Sequence, residues 1–249
     1  MQKTGIVAES ALWSGESPLA FDGRVFSERG RLETLFSIGR RAVGILREHC
    51  RRAAPDGRAL FVGQLPGWVE GARLRAFMDE VERDHPICPE SPFEGTERIA
   101  GAAWLAAEHL REAADDGVAK LCFAPDTDDL PLHTHEQSER FIFCLAGRGR
   151  FHYSRETLRA FGGSDVRYVD IRVGSFVLFS RDVLHTFSAS ERGTVLVSYQ
   201  SPSVSFDDPD QYTLPLVNWS PWMEPTDALW HGGTRRTSII DDGAWLCCA

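Results

Sequence analysis

The segment PLHTHEQSERFIF, residues 131–143, contains two histidines one residue apart and a glutamate four residues after the second. Alternate residues of a strand point to the same face, so His133 and His135 share a face, and Glu139 has the same parity if the strand continues through it. Imidazole nitrogens and carboxylate oxygens suit divalent Fe, Mn, Ni, Co, Zn or Cu. The spacing therefore predicts a metal site; the alternative is that the three side chains are exposed on a polar loop.

A further candidate ligand stands in GSFVLFSRDVLHTFSA, residues 174–189, where a strand, a polar turn and a second strand present His185. Together with the first segment, this one resembles the two motifs of the cupin superfamily. The first motif has the form HxHxxxE followed by a strand and a glycine, and the second has the form GxxxxxPxGxxH. The resemblance covers roughly residues 119–200.

The chain fills every ligand position of these motifs and departs from them elsewhere. The first motif is matched by His133, His135, Glu139 and Gly147, with the glycine one residue later than in the usual form. Gly174 and His185 keep the spacing of the second motif. The positions of its proline, glycine and common asparagine are held by Ser180, Asp182 and Ala189. Those positions shape a turn and do not touch the metal.

The resemblance implies a jelly-roll β-barrel with one mononuclear metal ion in its mouth, held by His133, His135, Glu139 and His185. It also implies a homodimer, because family members commonly pair their barrels edge to edge. Four protein ligands leave one or two positions open on a five- or six-coordinate ion, where water, dioxygen or a substrate can bind. The site is therefore expected to be catalytic rather than closed and structural.

Three functions are compatible with such a site, and the sequence favours the first. An Fe(II) centre chelated by substrate reduces dioxygen, which gives an oxygenase acting on a small polar organic molecule. Mn, Ni, Zn or Fe acting as a Lewis acid gives a non-redox isomerase or lyase. A cupin that binds a ligand without turnover is the third alternative, because fold alone does not decide function.

Two oxygenase subclasses fit the motifs less well. Thiol dioxygenases with the cupin fold usually use three histidines and no glutamate, so Glu139 speaks against them. The 2-oxoglutarate oxygenases use His-x-Asp/Glu, a distal histidine and a basic residue for the cosubstrate. The HTH sequence breaks that pattern, and Arg192 is the candidate for the basic residue.

Strand parity also predicts residues that line the pocket. Phe141 and Phe143 are expected to face inward with Glu139, and Phe187 with His185. Aromatic walls exclude bulk water and suit a small organic substrate, although ordinary core packing explains the same residues. The candidate proton donors near the metal are either His152 or Tyr153 and, on the last strand, Tyr199 or Gln200.

The elements that must position these residues change in character along the chain. Helical spacing of apolar residues predicts three helices, at 31–53, 67–85 and 96–117. The segment 58–67 predicts one short strand. From Val118 onward, short β-branched and aromatic runs alternate with Gly, Pro, Asp and Ser turns. The predicted strands are 118–124, 139–147, 149–155, 166–173, 175–180, 185–190 and 194–200.

This pattern predicts a mainly β fold, a cupin-type jelly-roll β-barrel with an α-helical N-terminal region. We expect three units: a helix-rich region (1–118) packing on the barrel, the barrel (119–206), and an irregular, aromatic-rich C-terminal extension (207–249). The extension holds four of the seven tryptophans, at positions 219, 222, 230 and 245. We therefore expect it to pack over the barrel or a neighbouring subunit.

Composition limits the class of partner. The 249-residue chain has 27 Lys and Arg against 36 Asp and Glu, a net charge of -9, and its basic residues are scattered, so nucleic acid is not an expected partner. No stretch reaches the length of a membrane span, and no leader sequence is visible. The six cysteines form no CxxC pair. We expect a cytoplasmic protein with reduced thiols and a small-molecule substrate, and we assign Cys247 and Cys248 no role.

Overall fold

The computed structural model describes residues 31–53, 57–64, 99–106, 115–204 and 208–223. Within these ranges the chain is mainly antiparallel β-sheet with one α-helix, which confirms the predicted fold class. The elements are the helix α1 (Arg31–Ala53) and the strands β1 (Leu60–Gln64), β2 (Ile99–Ala106), β3 (Gly117–Phe123), β4 (Glu139–Ser154), β5 (Val166–Arg172), β6 (Ser175–Phe179) and β7 (His185–Ser201). Two short 3-10 helices follow, Pro209–Gln211 and Pro221–Met223.

Most of the predicted elements are confirmed, with one clear error. The segments predicted as separate strands at 139–147 and 149–155 form the single strand β4, and 185–190 and 194–200 form β7. The helix predicted at 96–117 is wrong over Ile99–Ala106, which is a strand paired with β3. Its Ala-rich sequence has helical spacing, but sheet pairing overrides that propensity. The helix predicted at 67–85 lies outside the described residues.

The strands form one antiparallel sheet in the order β1-β6-β4-β7-β3-β2, with β5 paired to β4 beside this path. The two long strands, β4 and β7, pair along most of their length. β6 pairs with the first part of β4 and β5 with its second part. The proposed division at residue 118 stays a prediction, although β1 and β2, which precede it, pair with this sheet.

The long β4–β7 ribbon has an irregular register at Gly147, the glycine of the first motif. Gly147 has a positive φ of 74°, and an added Cβ would lie 2.1 Å from the carbonyl oxygen of Gly193 on β7. Any other residue would therefore combine a strained backbone with a steric clash. The register shift and the close approach of the two strands therefore both depend on a glycine at this position.

The sheet separates two apolar clusters. The helix-side cluster joins α1 to the sheet, and its main members are Phe36, Val43, Leu46, Phe61, Phe141, Phe143, Phe176, Leu178, Val197 and Tyr199. The histidine-side cluster fills the inside of the curl, and its main members are Phe123, Ile142, Cys144, Phe151, Tyr153, Val177, Phe179, Phe187 and Leu196. Burial of each such side chain stabilises the fold by about 1.5–3 kcal/mol, an upper estimate.

Residues 208–223, which we call the C-terminal segment, run alongside the chain that precedes β4. The amide of Leu132 donates to the carbonyl of Trp219 at 2.7 Å, and Thr134 and Thr213 exchange two backbone hydrogen bonds. Trp219 is buried, as expected of this region, whereas Trp222 is 49% exposed. Trp230 and Trp245 lie outside the described residues.

Two further observations concern the class of protein. Among the described residues, no helix is both long enough and apolar enough to cross a membrane. Within the same ranges, Cys144 is buried and forms no disulfide.

Candidate metal centre

The structure brings together three of the four residues predicted as metal ligands. His133 and His185 pair across an isolated bridge in which each amide donates to the other's carbonyl, at 3.0 and 2.8 Å. His135 lies next to both, with its ring centre 5.0 Å from each of the other two. The ligand nitrogens of the three rings all lie within 4.8 Å of one another, and all three side chains are buried. A single ion can contact all three.

Backbone carbonyls fix the tautomer of each ring. The Nδ1 atom of His133 lies 2.9 Å from the carbonyl oxygen of Pro131, and Nδ1 of His185 lies 2.8 Å from that of Val183. Nδ1 of His135 lies 2.7 Å from the carbonyl oxygen of Gln211. A carbonyl oxygen only accepts, so each Nδ1 carries the proton and each Nε2 carries the lone pair. Protein ligands to metals are oriented in this way.

Burial keeps the three imidazoles in the form that binds metal. It lowers the pKa of His133 to about 4, and it lowers the pKa values of His135 and His185 well below their ordinary value. The cationic Arg140 lowers all three pKa values further. The rings are therefore neutral near pH 7, and a neutral imidazole is the ligand form.

Aromatic side chains surround the rings. The ring of His185 contacts Phe151, Phe179 and Phe187, and its closest centroid distance is 4.3 Å, to Phe179. On the other side, Tyr212 of the C-terminal segment packs against His133 and His135 at centroid distances of 5.2 and 5.4 Å. Burial raises the pKa of the Tyr212 hydroxyl. These walls limit the access of water to the three nitrogens.

Glu139, the fourth predicted ligand, is not brought into this group. Its Oε2 accepts a hydrogen bond from Arg47 on α1 at 2.9 Å, and its Oε1 lies 3.3 Å from Nε of Arg181. It lies opposite Ser201 in the β4–β7 register, on the face that carries Phe141. The parity argument fails because residues 136–138 include a bend, so β4 begins only at Glu139.

Arg140, the next residue, faces the histidines. It is only 2% exposed. Its Nη1 donates to Ser138 Oγ at 2.9 Å and to Gln200 Oε1, and its Nη2 donates to Gln211 Oε1 at 3.0 Å. Burial lowers the pKa of this guanidinium to about 9, so it remains a cation near neutral pH.

The predicted pocket and proton-donor residues divide between the two faces. Phe187 lies on the histidine side, and so does Tyr153, which pairs with His185 across β4 and β7. Phe141 and Phe143 lie in the helix-side cluster instead. The bend within residues 136–138 explains this placement, because Phe141 and Phe143 point to the same face of β4 as Glu139.

The remaining predicted proton donors have partners of their own. Tyr199 also lies in the helix-side cluster, where its hydroxyl donates to Asp116 at 2.7 Å. Burial, and next the bond to Asp116, raises the pKa of that hydroxyl. Gln200 is buried and accepts from Arg140. The ring of His152 packs against Trp219 and Tyr168, on the face opposite Tyr153.

Sequence reasoning missed Arg140, Gln211 and Tyr212. The signal for Arg140 was the polar run EQS before β4, which made continuous strand parity unsafe. No local signal marks Gln211 or Tyr212, because their place depends on how the C-terminal segment returns to the barrel.

The donor set fits a divalent transition metal. Three neutral imidazoles, with tautomers set by backbone acceptors, are ligands that Fe, Ni, Cu or Zn accept. Three protein ligands leave more open positions than the four that the sequence predicted. The centre can therefore bind a substrate group and a second small molecule together.

Comparisons with known proteins concern the fold. No family model matches the sequence, and a search of curated proteins finds no match. Among solved structures, the 11S globulin from Wrightia tinctoria is 16% identical with a TM-score of 0.39, over 54% of this chain and 30% of the globulin. Lactobacillus farciminis oxalate decarboxylase, in a formate complex, is 16% identical with a TM-score of 0.38, over 66% of this chain and 46% of the decarboxylase.

A sugar phosphate isomerase from a cupin superfamily, from Silicibacter pomeroyi, is 11% identical with a TM-score of 0.34, over 43% of this chain and 62% of the isomerase. This chain thus spans less than two thirds of the length of each of these proteins. At such identities the likeness says nothing about activity.

Proposed function

We propose that this chain, a protein of the cupin fold, is a metal-dependent enzyme in which His133, His135 and His185 hold one divalent ion, Fe(II) by preference. We further propose that it oxidises a small polar organic molecule with dioxygen. The observation that carries the proposal is the set of three Nδ1–carbonyl hydrogen bonds, which present three buried Nε2 lone pairs to one point. When bound, Fe(II) would bind dioxygen and convey to it electrons that come from the substrate.

The chain's own residues favour oxidation over isomerisation. An isomerase or lyase needs a side chain that removes a proton at neutral pH. Aromatic side chains contact the three rings, and burial raises the pKa of the Tyr212 hydroxyl, which makes it a poor base. Phe151, Phe179 and Phe187 instead exclude water, which protects a reactive centre.

The position of Glu139 also bears on the substrate. Cupin thiol dioxygenases were set aside because they use three histidines and no glutamate. With Glu139 held by Arg47 and Arg181, this objection does not hold. Small thiols therefore belong among the substrates to be tested.

The test begins with elemental analysis of protein purified without a histidine tag. The protein is then reconstituted anaerobically with Fe(II), and dioxygen consumption is followed with small polar acids, alcohols and thiols. The proposal predicts about one iron per chain and dioxygen uptake that depends on one compound. Turnover with Mn or Zn and without dioxygen would favour the isomerase or lyase. Bound metal with no turnover would favour the ligand-binding cupin.

A further inference from the structure

We propose that Arg140 binds an anionic group of the substrate, and that this group is a carboxylate. The inference deepens the proposed function and rests on it, because the carboxylate would lie beside the metal held by the three histidines.

The first argument is the position of Arg140 in the sheet. Arg140 lies directly opposite Phe179 on β6 and Gln200 on β7. Opposite residues of an antiparallel pair share a face. The ring of Phe179 lies 4.3 Å from that of His185, so Arg140 is on the face of the metal centre.

The second argument is the way the guanidinium is held. Its three hydrogen bonds to Ser138, Gln200 and Gln211 use both Nη1 hydrogens and one on Nη2. The three bonds do not use Nε–H or the second Nη2 hydrogen. Nε and Nη2 are the two donors of a guanidinium that a carboxylate takes side by side.

The helix side of the same molecule shows that arrangement. There Asp116 accepts from Nε of Arg40 at 2.7 Å and from its Nη2 at 3.3 Å. Arg140 has the same fork, and its bonds to neutral oxygens hold it in place. The fork is therefore oriented before a ligand arrives, which reduces the ordering cost of binding.

The third argument is charge. Among the described residues, no carboxylate forms an ion pair with Arg140, and its hydrogen-bond partners are neutral oxygens. A buried cation without a charged partner is costly, and the three neutral imidazoles do not offset that cost. A divalent ion adds further positive charge. An anion that contacts both the guanidinium and the metal would offset the positive charge of both.

The shape of the guanidinium and the aromatic walls favour one kind of anion. The two parallel donors of the fork match the two oxygens of a planar carboxylate. The adjacent surface is aromatic: Phe151, Phe179 and Phe187 contact His185, and Tyr212 contacts the other two histidines. A carboxylate on a small apolar body fits this combination.

The test measures ligand binding and not turnover. Calorimetry is used to compare benzoate with benzamide, its neutral counterpart of the same shape, and with inorganic phosphate. Each is titrated into chelator-treated protein and into protein loaded with Fe(II) under nitrogen. We expect benzoate to bind at least about 10-fold more tightly than benzamide and phosphate, because bonds to a charged partner are the stronger kind.

Two variants separate Arg140 from general charge effects. Arg140→Met should weaken benzoate binding by about 10- to 100-fold and leave benzamide binding unchanged. Arg159→Met removes an exposed positive charge in the turn before β5 and should change neither. Circular dichroism confirms folding. If Arg140→Met does not fold, Arg140→Lys keeps the charge without the planar fork and should weaken benzoate binding while the metal content stays the same.

The outcomes distinguish this inference from the proposed function. Equal affinities for benzoate and benzamide, tighter binding of phosphate, or wild-type benzoate affinity in the Arg140 variant would each overturn the carboxylate site. If the wild-type protein holds no metal but still binds benzoate through Arg140, the proposed function fails while the carboxylate site stands.

Discussion

Glu139 and Arg140 are neighbours in the sequence, and their side chains lie on opposite faces of β4. The two faces differ in whether the buried charge has an ion-pair partner. On the helix side the carboxylate of Glu139 lies between Arg47 and Arg181. On the histidine side the guanidinium of Arg140 has neutral oxygens around it. The helix side is thus a completed structural interface. The histidine side carries positive charge that suits a ligand.

The largest expected effect tests the histidine side. His135→Ala should lower the metal affinity at least about 100-fold, because loss of residues that only orient a ligand already costs 10- to 100-fold. Metal content after dialysis, measured by elemental analysis, checks this. His49→Ala, on α1, is the matched control and should keep the metal. Equal metal content in both variants would remove His135 from the centre.

The next effect is the pH dependence of stability in the metal-free protein. The folded-state pKa of His133 is about 4, below its ordinary value of 6.5, so the unfolded chain takes up protons that the folded chain does not. The free energy of unfolding should therefore fall as the pH drops from about 6.5 to about 4, by up to about 1.4 kcal/mol per pH unit for each such histidine.

Urea unfolding at several pH values measures this slope. In His135→Ala one of the buried rings is absent, so the unfolded chain takes up one proton fewer. The slope should therefore be smaller by up to about 1.4 kcal/mol per pH unit. A free energy of unfolding that stays constant between pH 6.5 and 4 would contradict the buried, neutral state of the rings.

A smaller effect tests the helix side. Asp116 is buried and accepts hydrogen bonds from Tyr199 and Arg40. Asp116→Asn should lower the free energy of unfolding by about 1–3 kcal/mol, because buried polar partners lose a charged acceptor. Metal content should not change. Asp170→Asn is the control: its side chain is 81% exposed, and we expect no measurable loss. A loss of metal in Asp116→Asn would mean that the two faces are not independent.

The variant with the smallest expected effect, Glu139→Gln, tests the difference between the two faces most directly. Glu139→Gln removes the charge between Arg47 and Arg181, whose side chains are 46% and 45% exposed and can be solvated instead. We expect a loss of about 1 kcal/mol or less and an unchanged metal content. Glu136→Gln, an exposed change in the same motif, should alter neither. If Glu139→Gln loses the metal, Glu139 is a ligand and the distinction between the two faces fails.

The fold was largely predictable because strands and α1 leave periodic apolar patterns. The strand β2 was not, since its alanines fit a helix and only its pairing with β3 makes it a strand. The three histidines could be predicted from their spacing and from the motif resemblance. Glu139 was predicted on the wrong face and Arg140 was missed, because a bend of a few residues changes strand parity.

The contribution of the C-terminal segment could not be predicted from local sequence. Gln211 and Tyr212 reach the centre through tertiary contacts made by Thr213 and Trp219 with the chain before β4. Such long-range placement leaves no periodic pattern. The sequence predicted only that an aromatic-rich extension would pack somewhere on the barrel.

The carbonyl of Gln211 couples the C-terminal segment to the metal by thermodynamic linkage. It accepts a hydrogen bond from Nδ1–H of His135, and the backbone of Thr134 is paired with that of Thr213. A chain that ended after β7 would keep all three imidazoles but would lose the acceptor that sets one of them. The coupling is reciprocal. If docking of the segment strengthens metal binding by some free energy, a bound ion stabilises the docked segment by the same free energy.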